Sequence, residues 1–328
     1  MDNFISPQIL DYYRTPSPMT LVGDHHEIVA SLPNDIESLV RIVQGLIIHQ
    51  FTASSFYGYD IPGEREVEGN LRYFHEMLDQ LLVLDHSPLT AKRSPDKRLV
   101  GVCHHFNKFL VAVLRAKGVP ARMRYGFGNY FNPGFYEDHS ICEFWDEQKE
   151  EWILVDPQFD DIWVSKLNIK HSVFNVPRDS FICAGNAWMA CREDKQAPNK
   201  FGTIDDDLRG WWFIAGNIVK DVAALNKMEM LQWDAWKGMP RPNNTMKNKK
   251  TIKFFDQLAP LSVQPDSSFA ELQKIYQNED YPIRVPERVF NAMRGHLEWV
   301  SGAANKTKGK KQGKNKIVAI QKKEEVDR

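Results

Sequence analysis

Long hydrophobic runs are missing from this chain of 328 residues. None approaches the roughly 20 apolar residues that cross a bilayer, so we expect no membrane span and no membrane partner. No basic start followed by an apolar stretch occurs between Met1 and Thr20, so we expect no secretory signal. Cysteine is also scarce, since 4 residues do not make a disulfide framework. We therefore expect a reducing, cytoplasmic setting.

Motifs for cofactors are absent as well. The chain has no phosphate-binding glycine loop and no internal repeat. Cys183 and Cys191 have no His partners at zinc spacing. His25 and His26 are adjacent, and neighbouring residues rarely face one ion together. We expect neither a metal nor a cofactor.

The chain does have the composition of an ordinary globular protein, with 42% hydrophobic and 12% aromatic residues. Its charge is uneven. Residues 301–328 hold nine Lys or Arg against three acids, which leaves 33 basic and 40 acidic residues in the rest. This tail is predicted to be disordered and solvated. Contact with nucleic acid or an anionic surface is the alternative, but no specific nucleic-acid partner is expected.

Cys103 stands out because a helical pattern begins directly after it. Gly118 and Pro120 then end the predicted helix. One helix face carries five apolar residues at the required spacing: Phe106, Phe109, Leu110, Val113 and Leu114. In the first turn, unpaired N–H groups and the positive end of the helix dipole favour a thiolate. Cys103 is therefore a candidate nucleophile.

A His and an Asp follow Cys103 at the two ends of a predicted β-hairpin. A turn centred between Glu147 and Gln148 places His139 directly opposite Asp156, with Cβ atoms roughly 4.5–5.5 Å apart. The carboxylate would then fix the imidazole tautomer and leave the other ring nitrogen for the sulfur. A register slip of one residue would separate the pair.

Taken singly, each of the three residues has a structural interpretation. A Cys is commonly a small buried apolar residue, and an Asp before a Pro commonly forms a turn. The combination is more informative: a Cys at a helix N-terminus, a His that begins one strand and an Asp that ends the next.

The sequence Gly-Val-Cys103, followed by a helix and Lys-Gly-Val-Pro-Ala-Arg122, resembles the core of the transglutaminase-like superfamily. The run from Arg124 to Pro157 is most similar to bacterial members, and the likeness extends to the segment ending Met-Leu-Gln-Trp233. This resemblance implies an α+β, papain-like fold, with the nucleophile at a helix N-terminus packed on an antiparallel sheet, plus helical additions. It implies three catalytic residues: Cys103 as nucleophile, His139 as general base and acid, and Asp156 as the orienting carboxylate.

The chain departs from this family at the second oxyanion donor. Animal transglutaminases have a Trp upstream of the Cys, but the first Trp here is Trp145. Papain-like proteases have a Gln a few residues before the Cys, where this chain has Lys97. The backbone N–H of Cys103 is one candidate donor. The candidates for the second follow the first long helix: His49, Gln50 and Tyr57.

We predict three parts: a transglutaminase-like domain over residues 1–240 with its core at about 34–160, a C-terminal helical extension over 241–300, and a Lys-rich tail over 301–328. Within them we predict a helix over 35–49 capped by Asn34.

Four further features are predicted from local patterns. Residues 121–128 are predicted to form a strand. In the C-terminal part, one helix is expected from Ser268 and another near 286–299. The loop that follows the strand is a candidate aromatic wall of the cleft or a cover of the core edge, and its aromatic residues are Tyr130, Phe131, Phe135 and Tyr136.

The predicted function is acyl transfer or hydrolysis on an amide or peptide carbonyl, through a thioester on Cys103. With water as acceptor the enzyme is a protease or amidase, and with a Lys amine it is a transglutaminase. The lack of a calcium-site motif favours hydrolysis. Two alternatives stay open: an arylamine N-acetyltransferase-like acyl-CoA transferase, which Gly-Val-Pro-Ala-Arg122 argues against, and a non-catalytic protein-binding module that retains the triad.

Overall fold

The computed structural model describes residues 5–204, 208–242 and 244–300. The predicted Lys-rich tail, residues 301–328, lies outside these ranges. The helices in chain order are α1 (Pro7–Arg14), α2 (His26–Ala30), α3 (Ile36–Leu46), α4 (Ala53–Tyr57), α5 (Phe74–Leu84), α6 (Cys103–Ala116), α7 (Asp161–Leu167), α8 (Ala184–Arg192), α9 (Trp211–Leu225), α10 (Lys249–Val263) and α11 (Phe269–Tyr276). The strands are β1 (Ile47–His49), β2 (Leu99–Gly101), β3 (Ala121–Gly128), β4 (Tyr136–Asp146), β5 (Glu151–Val155), β6 (Phe181–Cys183), β7 (Phe201–Gly202), β8 (Asp234–Ala235), β9 (Arg288–Asn291) and β10 (His296–Trp299).

Helix α6 is the centre of the fold and begins at Cys103, as predicted. It is buried from Cys103 through Arg115. One side packs on β3 and β4, and other contacts are with α3 and α5. The rings of Phe74 and Phe109 meet edge to face at 5.0 Å, which joins α5 to α6. Because α6 is enclosed, its first residue is held at a fixed place beside the sheet.

The main sheet has the strand order β5-β4-β3-β6, all antiparallel, and β7 adds a short parallel pairing to β4. Strand β3 agrees with the prediction for 121–128. Helix α9 packs along β3, where Arg124 makes a bidentate ion pair with Asp221 at 3.0 and 2.9 Å. The predicted α+β class, with the Cys-bearing helix packed on an antiparallel sheet, is confirmed.

The predicted register of the hairpin is wrong by two residues. The ladder pairs Cys142 with Val155, so Asp156 lies diagonal to His139 rather than opposite it. Successive side chains of a strand alternate between faces, so a shift of two leaves both residues on the same face. Diagonal neighbours, roughly 7–8 Å apart, are still within reach of long side chains. The predicted meeting of the two side chains is therefore possible in either register.

The loop of this hairpin explains the difference. We predicted a short charged turn centred between Glu147 and Gln148, where no Gly fixes the turn type. No Gly is present, and the ladder ends at the pair Asp146–Glu151, which leaves four residues in the loop. The Asp146 carboxylate accepts the N–H groups of Gln148 and Lys149, and Glu150 takes a φ of 52°.

The predicted helix over 35–49 is three residues shorter at its end. It is capped by Asp35, not by Asn34, because the Asp35 carboxylate accepts the N–H of Ser38. After Leu46 the chain forms β1, which pairs in parallel with β2 and aligns His49 with Gly101. The β-branched Ile47 and Ile48 suit this strand. As a result the chain after α3 runs beside the segment that leads to Cys103.

The predicted helix from Ser268 is present as α11, but the prediction of a helix near 286–299 is wrong. That segment is the hairpin β9–β10, and β9 also pairs with β8. The reason is a burial period of two, because Val289 and Asn291 are buried whereas Arg288 and Phe290 are exposed. The extension is thus helical only in its first part, and its division from the main domain stays a prediction. No helix in the described ranges is long and apolar enough to cross a membrane.

Candidate active site

Cys103 lies at the point where the chain leaves β2 and enters α6. Its side chain is nearly enclosed, with the residue 7% exposed. Nδ1 of His105 accepts the N–H of Val102 at 3.1 Å, which fixes the entry into the helix. Gly101 allows this packing, because a Cβ there would lie 2.8 Å from the Cβ of His105. Asn107 donates to the carbonyls of Cys103 and Ser140 at 2.9 and 2.7 Å, and this ties the start of α6 to β4.

His139 and Asp156 form a short, buried contact. Nε2 of His139 is 2.6 Å from Oδ2 of Asp156, and the two residues are 1% and 0% exposed. The Asp156 carboxylate also accepts the hydroxyl of Tyr130 at 3.1 Å and the N–H of Gln158 at 3.2 Å. The carboxylate is therefore held from three directions, and Nδ1 of His139 is the ring nitrogen left for another partner.

The charge state of His139 follows from its surroundings. Burial alone would lower the pKa of the imidazole, but the charge and hydrogen bond of Asp156 act in the opposite direction. A hydrogen bond with Cys103 adds to this, and together they raise the pKa of His139 to about 10. At neutral pH His139 is therefore an imidazolium between a carboxylate and the Cys103 sulfur. The three residues predicted from sequence thus lie together in the structure.

Aromatic rings enclose His139. The rings of Phe131 and Phe159 lie 5.1 and 5.8 Å from the imidazole, and that of Tyr130 lies 6.1 Å away. They shield the cluster from water, which strengthens the interactions of charges inside it. The predicted aromatic wall is therefore half correct, since the ring of Tyr136 instead stacks on Phe201 at 4.7 Å.

Gln232 was not predicted as a site residue. Its Nε2 donates to the sulfur of Cys103 at 3.0 Å, and its Oε1 is buried without a partner among the described residues. Lys220 donates to the Gln232 carbonyl, and the Asp234 carboxylate accepts the N–H of Leu231 at 3.1 Å. The available signal was weak: an amide between apolar residues in the segment ending at Trp233, to which the family resemblance was predicted to extend.

The three oxyanion candidates from the sequence differ in their surroundings. Tyr57 donates its hydroxyl to Asp160 at 2.8 Å. The backbone N–H of Gln50 donates to Gly101 at 2.7 Å, two residues before Cys103. Burial, and then the charge of His139, lower the pKa of His49 to about 3, so its ring is neutral. Gln232, by contrast, donates its side-chain amide to the sulfur of Cys103.

His104 follows the nucleophile candidate in sequence but is directed elsewhere. Its Nδ1 is 3.0 Å from the hydroxyl of Tyr125, and burial holds its pKa well below 6.5. The remaining cysteines, Cys142, Cys183 and Cys191, are free and buried. In the part of the chain that the structure describes, no three His, Cys, Asp or Glu side chains are grouped to hold a metal ion.

Comparisons with known proteins agree with the family resemblance. Residues 83–157 match the family model of the transglutaminase-like superfamily, and this segment contains Cys103, His139 and Asp156. The resemblance predicted from sequence is thereby confirmed over this segment, and it supports a cysteine-dependent function in general terms. No curated protein matches the chain.

Among solved structures, the chain is similar to one from Cytophaga hutchinsonii that is described as a "putative cysteine protease". The two share 13% identity with a TM-score of 0.31. The similarity covers 55% of this chain and 48% of that one, so it spans about half the length of the solved chain.

Proposed function

We propose that this chain, whose residues 83–157 match the transglutaminase-like superfamily, is an enzyme that acts on amide or peptide carbonyls through a Cys-His-Asp triad. Cys103 is the nucleophile, His139 is the general acid and base, and Asp156 orients the imidazole. The observation that carries the proposal is the double contact of His139, which lies between a carboxylate at 2.6 Å and the Cys103 sulfur and is charged at neutral pH.

The first half-reaction forms a thioester. The sulfur of Cys103 adds to the carbonyl carbon, and the π electrons of the C=O bond move to oxygen. His139 gives its Nδ1 proton to the nitrogen of the leaving amine as the C–N bond breaks. The tetrahedral oxyanion needs donors at the position it occupies, and one is the backbone N–H of Cys103 at the start of α6.

The second oxyanion donor is Gln232. Its amide lies 3.0 Å from the sulfur in the free protein, which places an N–H beside the atom that bonds the substrate carbon. A donor at this position can hydrogen-bond the carbonyl oxygen as it becomes an anion. Such donors stabilise the transition state more in a water-poor site than in water. The ion pair of Arg72 with Asp234, two residues further on, supports the segment that carries the amide.

The second half-reaction releases the acyl group. Neutral His139 takes a proton from the acceptor, which attacks the thioester carbon, and the sulfur departs as the C–S bond breaks. With water the product is a carboxylic acid, and with a lysine amine it is a new amide. We propose water as the acceptor, so the activity is that of a protease or amidase.

Trapping of the acyl-enzyme tests this function. The protein is mixed with a library of peptide and simple amides, quenched in acid, and the peptide that carries Cys103 is analysed by mass spectrometry. An acyl adduct that is absent from Cys103→Ala and accumulates less in His139→Asn supports the proposal. Free acid as the product supports hydrolysis over cross-linking.

Three results would oppose it. An acetyl adduct formed only with acetyl-CoA would indicate an N-acetyltransferase. A product amide formed with added amine, without free acid, would indicate a transglutaminase. No adduct at all, together with a Cys103 that reacts with iodoacetamide no faster than a model thiol at pH 6, would indicate a non-catalytic binding module.

A further inference from the structure

A chain of buried hydrogen bonds runs behind the Cys103 sulfur. His104, the residue after Cys103 in α6, and Tyr125 of β3 are both 0% exposed. Nδ1 of His104 lies 3.0 Å from the hydroxyl of Tyr125, and that hydroxyl donates to the carbonyl of Met230. Met230 is two residues before Gln232, whose amide donates to the sulfur. The contacts therefore start beside the nucleophile and end beside its amide partner.

The direction of these hydrogen bonds fixes the proton on His104. A hydroxyl has one proton to donate, and Tyr125 gives it to the Met230 carbonyl. Tyr125 must therefore accept from His104, so Nδ1 of the imidazole carries the hydrogen. Burial, and then the charge of Lys108, hold the pKa of His104 well below its usual value of 6.5, so the ring stays neutral. His104 is thus a fixed hydrogen-bond donor and not a base beside Cys103.

The segment that carries Gln232 is a loop. Residues 226–233, all of them described, lie between α9 and β8 and form neither a helix nor a strand. Side chains of neighbouring elements hold its main chain, since Lys220 of α9 donates to the Gln232 carbonyl and Tyr125 donates to the Met230 carbonyl. Tyr125 is the contact that comes from the sheet on which α6 packs. Where the Gln232 amide lies relative to α6 therefore depends on this contact.

Tyr125 is itself held in one position. Its N–H donates to the Asp221 carboxylate at 2.9 Å, and Arg124 donates to the same carboxylate at 3.0 Å. Burial raises the pKa of Tyr125 well above its usual range, so the group stays a hydroxyl. A side chain whose own conformation is locked by packing and hydrogen bonds can hold a neighbouring group in place.

We propose that Tyr125, oriented by His104, is a positioning residue that holds the Gln232 amide at the Cys103 sulfur. Neither residue reaches the substrate, because both are fully buried and act through Gln232. The inference rests on the proposed function only for the catalytic role of Gln232. Loss of the Tyr125 hydroxyl should therefore resemble a partial loss of Gln232.

A double-mutant cycle tests the kinetic part. Tyr125→Phe keeps the ring and removes only the hydroxyl. With a substrate found by acyl-enzyme trapping, we expect this variant to lower kcat about tenfold with little change in KM, because one buried hydrogen bond is lost. In the Gln232→Ala background the same substitution should lower kcat less than about twofold, since residues that act through one another are not additive.

An NMR signal gives a readout that needs no turnover. With nitrogen isotope labelling of the glutamine side chains, the amide signal of Gln232 is the one missing from Gln232→Ala. Cys103→Ala should shift this signal, because the sulfur is the acceptor of the amide. Tyr125→Phe should shift it in the same direction. A protein without detectable turnover would thus oppose the proposed function, while this signal would still decide whether Tyr125 positions Gln232.

Tyr13→Phe is the matched control. Tyr13 is 1% exposed and donates its hydroxyl to the carbonyl of Leu225 at 3.0 Å, so this variant loses the same kind of buried bond at the end of α9. It should leave kcat and the Gln232 signal unchanged. His104→Leu should act in the same direction as Tyr125→Phe. His104→Asn, whose amide can replace the Nδ1 donor, should restore both readouts towards wild type.

Two results would overturn the inference. A loss of kcat from Tyr125→Phe that is equally large in the Gln232→Ala background would show a general structural effect instead of positioning. A Gln232 signal that keeps its wild-type place in Tyr125→Phe would show that the amide does not depend on the hydroxyl.

Discussion

The amide of Gln232 lies 3.0 Å from the sulfur of Cys103, although 129 positions separate the two residues in the chain. Gln232 also lies outside the segment 83–157 that matches the superfamily. The site is therefore assembled from that segment and from the chain between α9 and β8. This addition puts an N–H donor beside the sulfur, where we propose that an oxyanion forms, and it leads to the first prediction.

Gln232→Ala should lower kcat by about 10²–10³ with little change in KM, because an oxyanion donor acts in the transition state. Gln232→Asn has a side chain one methylene shorter, so its amide lies further from the sulfur. Its kcat should lie between those of the wild type and Gln232→Ala. The measurements are steady-state kinetics on a substrate found by acyl-enzyme trapping. Gln277→Ala, at the C-terminal end of α11, is the control. A rise in KM with unchanged kcat would show that Gln232 binds substrate instead.

Iodoacetamide should label Cys103 selectively in the folded protein at pH 6. Burial raises the pKa values of Cys142 and Cys183, and that of Cys191 to about 12, so these thiols stay protonated and serve as internal controls. His139→Asn removes the imidazolium and should slow labelling of Cys103 about tenfold. Peptide mapping after timed quenching gives the rates. Equal labelling of all four cysteines would contradict a specially activated Cys103.

The contribution of His139 to stability should decline as pH rises. Its folded-state pKa of about 10 lies above the unfolded value of about 6.5, so the folded protein binds this proton more tightly. The contribution of His139 to the free energy of unfolding is therefore complete below about pH 6.5 and is lost as pH approaches about 10. Urea unfolding of wild type and His139→Gln across this range should give a difference that shrinks with pH.

Two variants check this linkage. His26→Gln, at an exposed position in α2, is the control for replacing a histidine by glutamine. Cys103→Ala removes one of the causes that raise the pKa of His139, so the contribution should be lost at lower pH than in wild type. A difference that grows as pH rises would contradict the assigned charge state.

Asp234→Asn should lower the free energy of unfolding by about 3 kcal/mol, because it leaves the buried Arg72 without one of its carboxylates. It should also lower kcat, since the Asp234 carboxylate holds Leu231 next to Gln232. Urea denaturation measures the first effect and kinetics the second. Asp280→Asn, at an exposed site, is the matched control. Unchanged stability would mean that Glu298 alone satisfies the guanidinium.

Local patterns were sufficient for the helix that begins at Cys103 and for the shared face of His139 and Asp156. Helix periodicity placed Cys103 at the start of α6, and strand alternation kept the His and Asp together even though the register was two residues off. That error came from the turn, because a charged loop without Gly carries no strong signal for its length.

Long-range contacts could not be predicted in this way. The helical reading of 286–299 failed because β9 is stabilised by pairing with β8, more than 50 positions earlier in the chain. Gln232 was missed for the same reason, since its contact with Cys103 depends on where α9 packs against β3. A single sequence reports the pattern of each segment but not which distant segment completes its hydrogen bonds.

Arg72 bridges Asp234 and Glu298 with one guanidinium group. The segment that carries the Gln232 amide and strand β10 are therefore both held by the buried guanidinium of Arg72. A displacement of β10 would therefore act on the same guanidinium that supports the segment carrying the Gln232 amide, so the hairpin and the surroundings of the Cys103 sulfur are linked through one pair of ion pairs.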